Sequence, residues 1–318
     1  MSLLEVNNLK TYFYTLRGVV RAVDGISFHI DEGMAFGLAG ESGCGKSTTA
    51  LSIMGLIKDP GKIVDGEIVF EGEDLLKKTK EELNQIRWKK ISMIFQGAMN
   101  AFNPVHRVGD QIVEAILYHE NISREEAWEK AEKLLEMVGI DPSRAKNYPH
   151  EFSGGMKQRA MIAMALSCNP KLVIADEPTT ALDVIVQKQV LDLMKELQKK
   201  LKLSIMLISH DLSVIAQMCD SVAIMYAGKI VEYADAISLF KEPQHPYSKG
   251  LINSFPNILN PGKKPESIPG QPPSLINPPP GCRFHPRCPF ATDKCREVEP
   301  HLVNIGNKHF VACHLIGG

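Results

Sequence analysis

The chain has 318 residues, 44% of them hydrophobic and 23% charged, which suits one large folded domain with an appendage or two modest domains. Its 36 Lys and Arg nearly balance 37 Asp and Glu, so a net charge of −1 offers no overall basic field for nucleic acid. No basic stretch followed by an apolar run opens the sequence, and no segment nears the roughly 20 apolar residues that cross a bilayer. A soluble, cytoplasmic protein is expected, with any membrane role carried by partners.

Residues 2–35 read as strand-like runs separated by turns. The apolar run 34–39 ends in a Gly-rich loop, and a helix is expected to continue from that loop through 51–57. Strands are expected at 66–70 and 91–95. Helices dominate from about 109 to 139. There Ser123-Arg124-Glu125-Glu126 has the layout of a capping box, and Ala127, Ala131, Leu134, Leu135 and Val138 recur on one helical face. Asp141-Pro142 opens a further short helix. The wholly apolar run 172–175 reads as a strand of a parallel sheet covered on both faces, as does 203–208, with a helix at about 184–201 between them. Eleven of the 20 prolines lie between 243 and 281, where an extended arm is expected in place of regular structure. Beyond it stand Cys282, Cys288, Cys295 and Cys313.

Gly40-Glu41-Ser42-Gly43-Cys44-Gly45-Lys46-Ser47 follows a predicted strand and opens a predicted helix, the context that makes this pattern a phosphate loop. Gly40, Gly43 and Gly45 let backbone N–H groups converge on a β-phosphate, helped by the positive end of the helix. Ser42, Cys44 and Thr48 complete the expected cradle. Lys46 is placed to neutralise β- and γ-oxygens, and Ser47 to give its hydroxyl oxygen to Mg²⁺. About 130 residues later the run 172–175 ends in Asp176-Glu177. Ligand-binding groups of open α/β sheets sit at such carboxyl ends. Asp176 is the candidate Mg²⁺ ligand and Glu177 the candidate general base on water. The plain alternative is a pair of solvated acids at a strand end.

Phe152-Ser153-Gly154-Gly155-Met156 narrows the reading. This stretch resembles the signature of the ATP-binding-cassette (ABC) ATPases, close to Leu-Ser-Gly-Gly-Gln, departing from it at Phe152 and Met156. The resemblance implies an α/β fold: a phosphate-loop core with an antiparallel β subdomain and a helical subdomain at about 97–160, together filling 1–242. It makes Gln96 the glutamine that senses Mg²⁺ and water, Ala181-Leu182-Asp183 the D-loop, and His210 the switch histidine on the γ-phosphate. Phe13 matches the aromatic that stacks on adenine, with Tyr12 and Tyr14 as rivals. Ser153, Gly154 and Gly155 would cap the ATP of a neighbouring chain, so two chains would sandwich two ATP molecules.

The four late cysteines are spaced C-x5-C-x6-C-x17-C. Such thiols suit zinc or an iron–sulfur cluster, and spacing does not choose between them. Ile94-Phe95-Gln96, Asn103-Pro104-Val105, His245-Pro246-Tyr247 and Gly281-Cys282-Arg283-Phe284-His285-Pro286-Arg287-Cys288-Pro289 together resemble the dipeptide/oligopeptide importer ATPases along essentially the whole chain. That resemblance implies a 4Fe–4S cluster on Cys282, Cys288, Cys295 and Cys313, with zinc as rival, in a small metal-cluster extension formed by 243–318. It also implies a peripheral position at the cytoplasmic face of the membrane. The implied partners are a second ATPase chain (a different one in the transporter, with a homodimer as the alternative for the isolated chain), two permease subunits and an external substrate-binding protein, with no nucleic acid. Oligosaccharide or nickel import, or a soluble ABC ATPase, are the alternatives.

Overall fold

The computed structural model describes residues 2–97, 101–254 and 267–316. In chain order the elements are β1 (Ser2–Thr15), β2 (Gly18–Asp31), β3 (Ala35–Ala39), α1 (Lys46–Ile53), β4 (Gly61–Phe70), β5 (Glu73–Asp74), α2 (Lys80–Ile86) and β6 (Ile91–Ile94). There follow α3 (Val108–His119), α4 (Arg124–Met137), α5 (Gly154–Ala165), β7 (Leu172–Asp176), α6 (Val184–Leu201), β8 (Ser204–Ser209) and α7 (Leu212–Met218). The last are β9 (Ser221–Tyr226), β10 (Lys229–Asp235), α8 (Ala236–Lys241), α9 (Pro246–Asn253), α10 (Asp293–Glu297), β11 (Val303–Asn304) and β12 (Phe310–Val311). The chain divides into two compact units, one of residues 2–30, 35–76 and 208–318, the other of 31–34 and 77–207.

In the first unit, β1 and β4 pair antiparallel, with Leu4 opposite Phe70 and Val6 opposite Ile68. All four side chains are buried, while Glu5 and Asn7 between them are exposed, the period of a strand with one covered face. β3 lies parallel to β9, β9 antiparallel to β10, and β10 antiparallel to β12, so the chain's last strands extend the sheet that carries the phosphate loop. α1 is shorter than the sequence suggested. Gly55 (φ 61) takes the left-handed conformation just past its end and stops it.

The Pro-rich stretch is more regular than expected at its start, because Pro246 occupies the first turn of α9, where a missing N–H costs nothing. His245 caps that helix by accepting the Tyr247 N–H on Nδ1 at 3.0 Å. Burial lowers its pKa to about 3, so the ring stays neutral and keeps the lone pair the cap requires. Pro256, Pro261 and Pro265 of the expected arm lie outside the described residues. Residues 267–281 form no helix or strand.

The second unit is built on β6 and β7, which pair parallel and are buried along their whole length, from Ile91 opposite Leu172 to Ile94 opposite Ala175. Its helices α4, α5 and α6 start where the sequence indicated, whereas α2 was not anticipated. Ser123 Oγ accepts the Glu126 N–H at 3.1 Å, and the Glu126 carboxylate accepts the Ser123 N–H at 2.8 Å, closing the expected capping box. Ala127, Ala131, Leu134 and Leu135 form the buried face of α4. Among the described residues no helix is long and apolar enough to cross a membrane.

Candidate nucleotide site

In the first unit, fully buried β3 delivers the chain into the phosphate loop. Gly40 (φ 151) and Gly45 (φ 110) are there by necessity: a Cβ would stand 2.1 Å from the Met225 carbonyl oxygen at the first and 2.1 Å from that of Ala22 at the second. Gly45 is the N-cap of α1 and no side chain caps that end, which leaves a helix N-terminus suited to a phosphate. Buried Lys46 points back over the loop, its Nζ donating to the carbonyls of Gly40 at 2.7 Å and Glu41 at 3.0 Å. Ser42 and Gly43 are exposed, and Ser47 and Thr48 are half-buried at the start of α1. Cys44 is buried; burial pushes its thiol pKa up, and its carbonyl accepts the Gly228 N–H at 2.9 Å. Its side chain is therefore packing, and its backbone is what it offers a nucleotide.

Phe13 lies on β1 opposite Gly61 of β4, its ring 2.6 Å from where a Cβ at that glycine would stand. Tyr12 is committed elsewhere. Its hydroxyl donates to Asp24, and burial together with that carboxylate pushes its pKa up to about 12. Of the two rivals, only half-exposed Tyr14 is left beside Phe13. His210 is exposed just past β8.

In the second unit, Asp176 is buried at the end of β7. Glu177 follows in the left-handed region (φ 48), a conformation that costs a non-glycine residue about 1–3 kcal/mol and gathers at functional sites. Gln96, two residues beyond parallel β6, donates its Nε2–H to Glu177 Oε2 at 2.8 Å, and the Thr180 hydroxyl donates to the same oxygen at 3.0 Å. Residues 81 positions apart thus meet because two parallel strands end side by side.

Ser153 is the N-cap of α5, its hydroxyl accepting the Met156 N–H at 3.3 Å, and Gly154-Gly155 form the first turn. Asp183 caps α6 by accepting from Ile185 N at 3.1 Å and Val186 N at 3.0 Å. A Cβ on Gly155 would stand 2.6 Å from Val186 Cγ1, so the signature turn rests on the first turn of α6. Next to Asp183, Val184 is 83% and Ile185 72% exposed.

The expected metal-cluster extension is not found as a closed ligand set. Among the described residues no three His, Cys, Asp or Glu side chains form a group that would hold a metal ion. The four thiols are free and belong to separate local structures: Cys282 and Cys288 flank the turn His285–Arg287, Cys295 lies in α10, and Cys313 follows β12. They still feel one another. Burial raises the Cys282 thiol to about 11, with Cys295, Cys313 and Cys288 adding to the rise; burial likewise raises Cys288 and Cys313, and thiol neighbours add there too.

Sequence reasoning missed the side chains that surround the phosphate loop from afar. Arg287 grips Glu41, and the Tyr247 hydroxyl accepts the Glu41 N–H at 3.0 Å. Both residues stood in the stretches His245-Pro246-Tyr247 and Gly281–Pro289, which signalled kinship without revealing a contact.

The family described as ABC transporter matches residues 23–180, and the oligopeptide/dipeptide transporter C-terminal region matches 231–295. The oligopeptide transport ATP-binding protein AppD of Bacillus subtilis is 51% identical over 99% of this chain and 97% of its own length. The dipeptide transport ATP-binding protein DppD of the same organism is 49% identical, over 98% of this chain and 94% of its own. A solved dimer of the ATP-binding cassette MJ0796 bound to ADP and Pi superimposes with a TM-score of 0.66 at 26% identity, over 73% of this chain and 98% of that one. With about half its residues shared along nearly its whole length, the chain belongs to the ABC transporter ATP-binding proteins, in their oligopeptide/dipeptide branch.

Proposed function

We propose that this chain is the ATP-hydrolysing subunit that drives peptide uptake through partner permeases, with Glu177 as the base of the reaction. The Gln96–Glu177 hydrogen bond carries the reading, since it joins a metal- and water-sensing amide to a carboxylate at the ends of parallel strands. Lys46 supplies positive charge to β- and γ-oxygens, and the open N-terminus of α1 supplies N–H donors. Glu177 orients the attacking water and accepts its proton, while His210 contacts the γ-phosphate. Ser47, Gln96 and Asp176 offer oxygen donors of the kind a hard cation takes and would hold Mg²⁺, which neutralises phosphate charge when bound. Ser153, Gly154, Gly155 and Asp183 serve the ATP of a second chain, and Phe13 stacks on adenine. Exposed Val184 and Ile185 beside Asp183 suit burial against that second chain, a different ATPase subunit in the assembled transporter.

The remaining partners are two permeases and an external binding protein, with this chain peripheral at the cytoplasmic face. In membrane vesicles holding those partners and the second ATPase, adding this chain and ATP is expected to start uptake of a labelled dipeptide or oligopeptide. Uptake of labelled nickel or oligosaccharide but of no peptide would overturn the substrate.

For the tail, we propose a 4Fe–4S cluster on Cys282, Cys288, Cys295 and Cys313, with zinc as the rival, since four thiols on short loops are donors of the kind either takes. Protein purified without oxygen is expected to contain about four iron and about four sulfide per chain. Stoichiometric zinc without sulfide would sink this assignment.

A further inference from the structure

The phosphate loop is fastened by the far end of the chain. Arg287 donates from Nη1 and Nη2 to the two carboxylate oxygens of Glu41, at 2.7 and 3.1 Å, the paired geometry that is strongest and most directional for a guanidinium. The Arg287 side chain is 5% exposed and fixed on its other sides. Its Nε donates to the Pro269 carbonyl at 2.8 Å, and its guanidinium lies 5.7 Å from the centre of the Tyr226 ring. Tyr226 in turn packs against the rings of Tyr247 and Phe284, which also meet each other.

A second arginine of the same stretch holds the other end of the loop. Arg283 donates to the Ala227 carbonyl and to Asp24. The next residue, Gly228, gives its N–H to the Cys44 carbonyl at 2.9 Å and accepts the Asp24 N–H at 2.9 Å. Glu41 is thus tied by Arg287 and Tyr247, and Cys44 by a turn that Arg283 secures.

These ties bear on the nucleotide as well as on the tail. The Lys46 ammonium rests on the Gly40 and Glu41 carbonyls, so where Glu41 sits decides where Lys46 sits. The Glu41 carboxylate, left without its arginine, would also place a negative charge on the loop that must receive phosphates. We propose that Arg287 is a positioning residue of the nucleotide site, acting through Glu41 to preset the phosphate loop, so that the four-cysteine segment controls ATP affinity. The proposal rests on the assignment of 40–47 as the ATP-binding loop.

The test uses the full chain and a fluorescent ATP analogue with Mg²⁺. Arg287→Gln is expected to raise Kd and KM about 10-fold, the size expected for a lost charged hydrogen-bond pair, while kcat falls by less than about 3-fold. Arg287→Lys is expected to recover part of the affinity. In combination with Glu41→Gln, the Arg287→Gln substitution is expected to add little further loss, because the pair is already broken. A Kd within about 2-fold of the parent in Arg287→Gln and in Arg287→Lys, with a lowered melting temperature, would make Arg287 a tail anchor only and overturn the proposal. Parent protein that binds no ATP would instead remove the nucleotide-site assignment itself.

Discussion

Glu177→Gln is expected to lower ATP turnover by about 10²–10⁴-fold, the range for losing a positioned general base. The substitution keeps shape and hydrogen bonding. A glutamine carbonyl can accept from Gln96 Nε2 and the Thr180 hydroxyl as the Glu177 carboxylate does, at 2.8 and 3.0 Å in the parent. What disappears is the ability to take a proton. If the loop 40–47 and α1 hold the phosphates as proposed, ATP binding is expected to stay within about 2-fold. Since hydrolysis is what would reopen a closed pair of ATPase subunits, the variant is also expected to elute as a dimer with ATP and as a monomer without it. Single-turnover and steady-state rates, read beside size-exclusion profiles, check both statements. Undiminished hydrolysis would remove Glu177 as the base.

Glu232→Ala is expected to destabilise the protein by about 3–5 kcal/mol, the cost of leaving several buried donors without their acceptor. Glu232 has 0% exposure in the middle of β10. Its carboxylate accepts the Gln244 N–H at 2.7 Å and the His245 N–H at 2.9 Å, and it meets His309 Nε2 at 2.7 Å. One side chain therefore joins β10, the entry to α9 and the turn before β12. Alanine leaves two backbone donors and a ring nitrogen buried without their acceptor. Glu232→Gln keeps one acceptor oxygen but turns an amide N–H₂ toward a donor, and a smaller loss of about 1–3 kcal/mol is expected. Urea unfolding of both variants ranks them. An alanine variant within about 1 kcal/mol of the parent would mean that water reaches the site and the cluster carries little.

The nucleotide motifs were legible because each is local and each has a physical context that the sequence also displays. The phosphate loop stands between an apolar run and a helix start. Glu177 ends an apolar strand, and Gln96 follows another that proves to be its parallel neighbour. Capping hydroxyls and carboxylates such as Ser123, Ser153 and Asp183 declare their helices within four residues. What escaped was non-local. Nothing periodic links Glu41 to Arg287 or Glu232 to His309, because a side-chain contact needs only two residues and leaves no pattern around either. Which of Tyr12, Phe13 and Tyr14 is open to stack on a base depends on strand register, and register is a property of the partner strand. For the cysteines, spacing gave the set of four but not the distances among them, since intervening turns and a short helix set where each sulfur ends up.

The tie between Glu41 and Arg287 spans 246 residues of sequence. A ribosome adding about 5–20 residues per second needs about 12–50 s to travel from one to the other. Through most of that interval the nascent chain displays its Gly-rich turn and lysine but lacks the turn at Gly228 and the Tyr247 hydroxyl, and the guanidinium comes last. If Arg287 presets the phosphate loop as proposed, a product truncated before Arg287 is expected to bind ATP more weakly than the full chain.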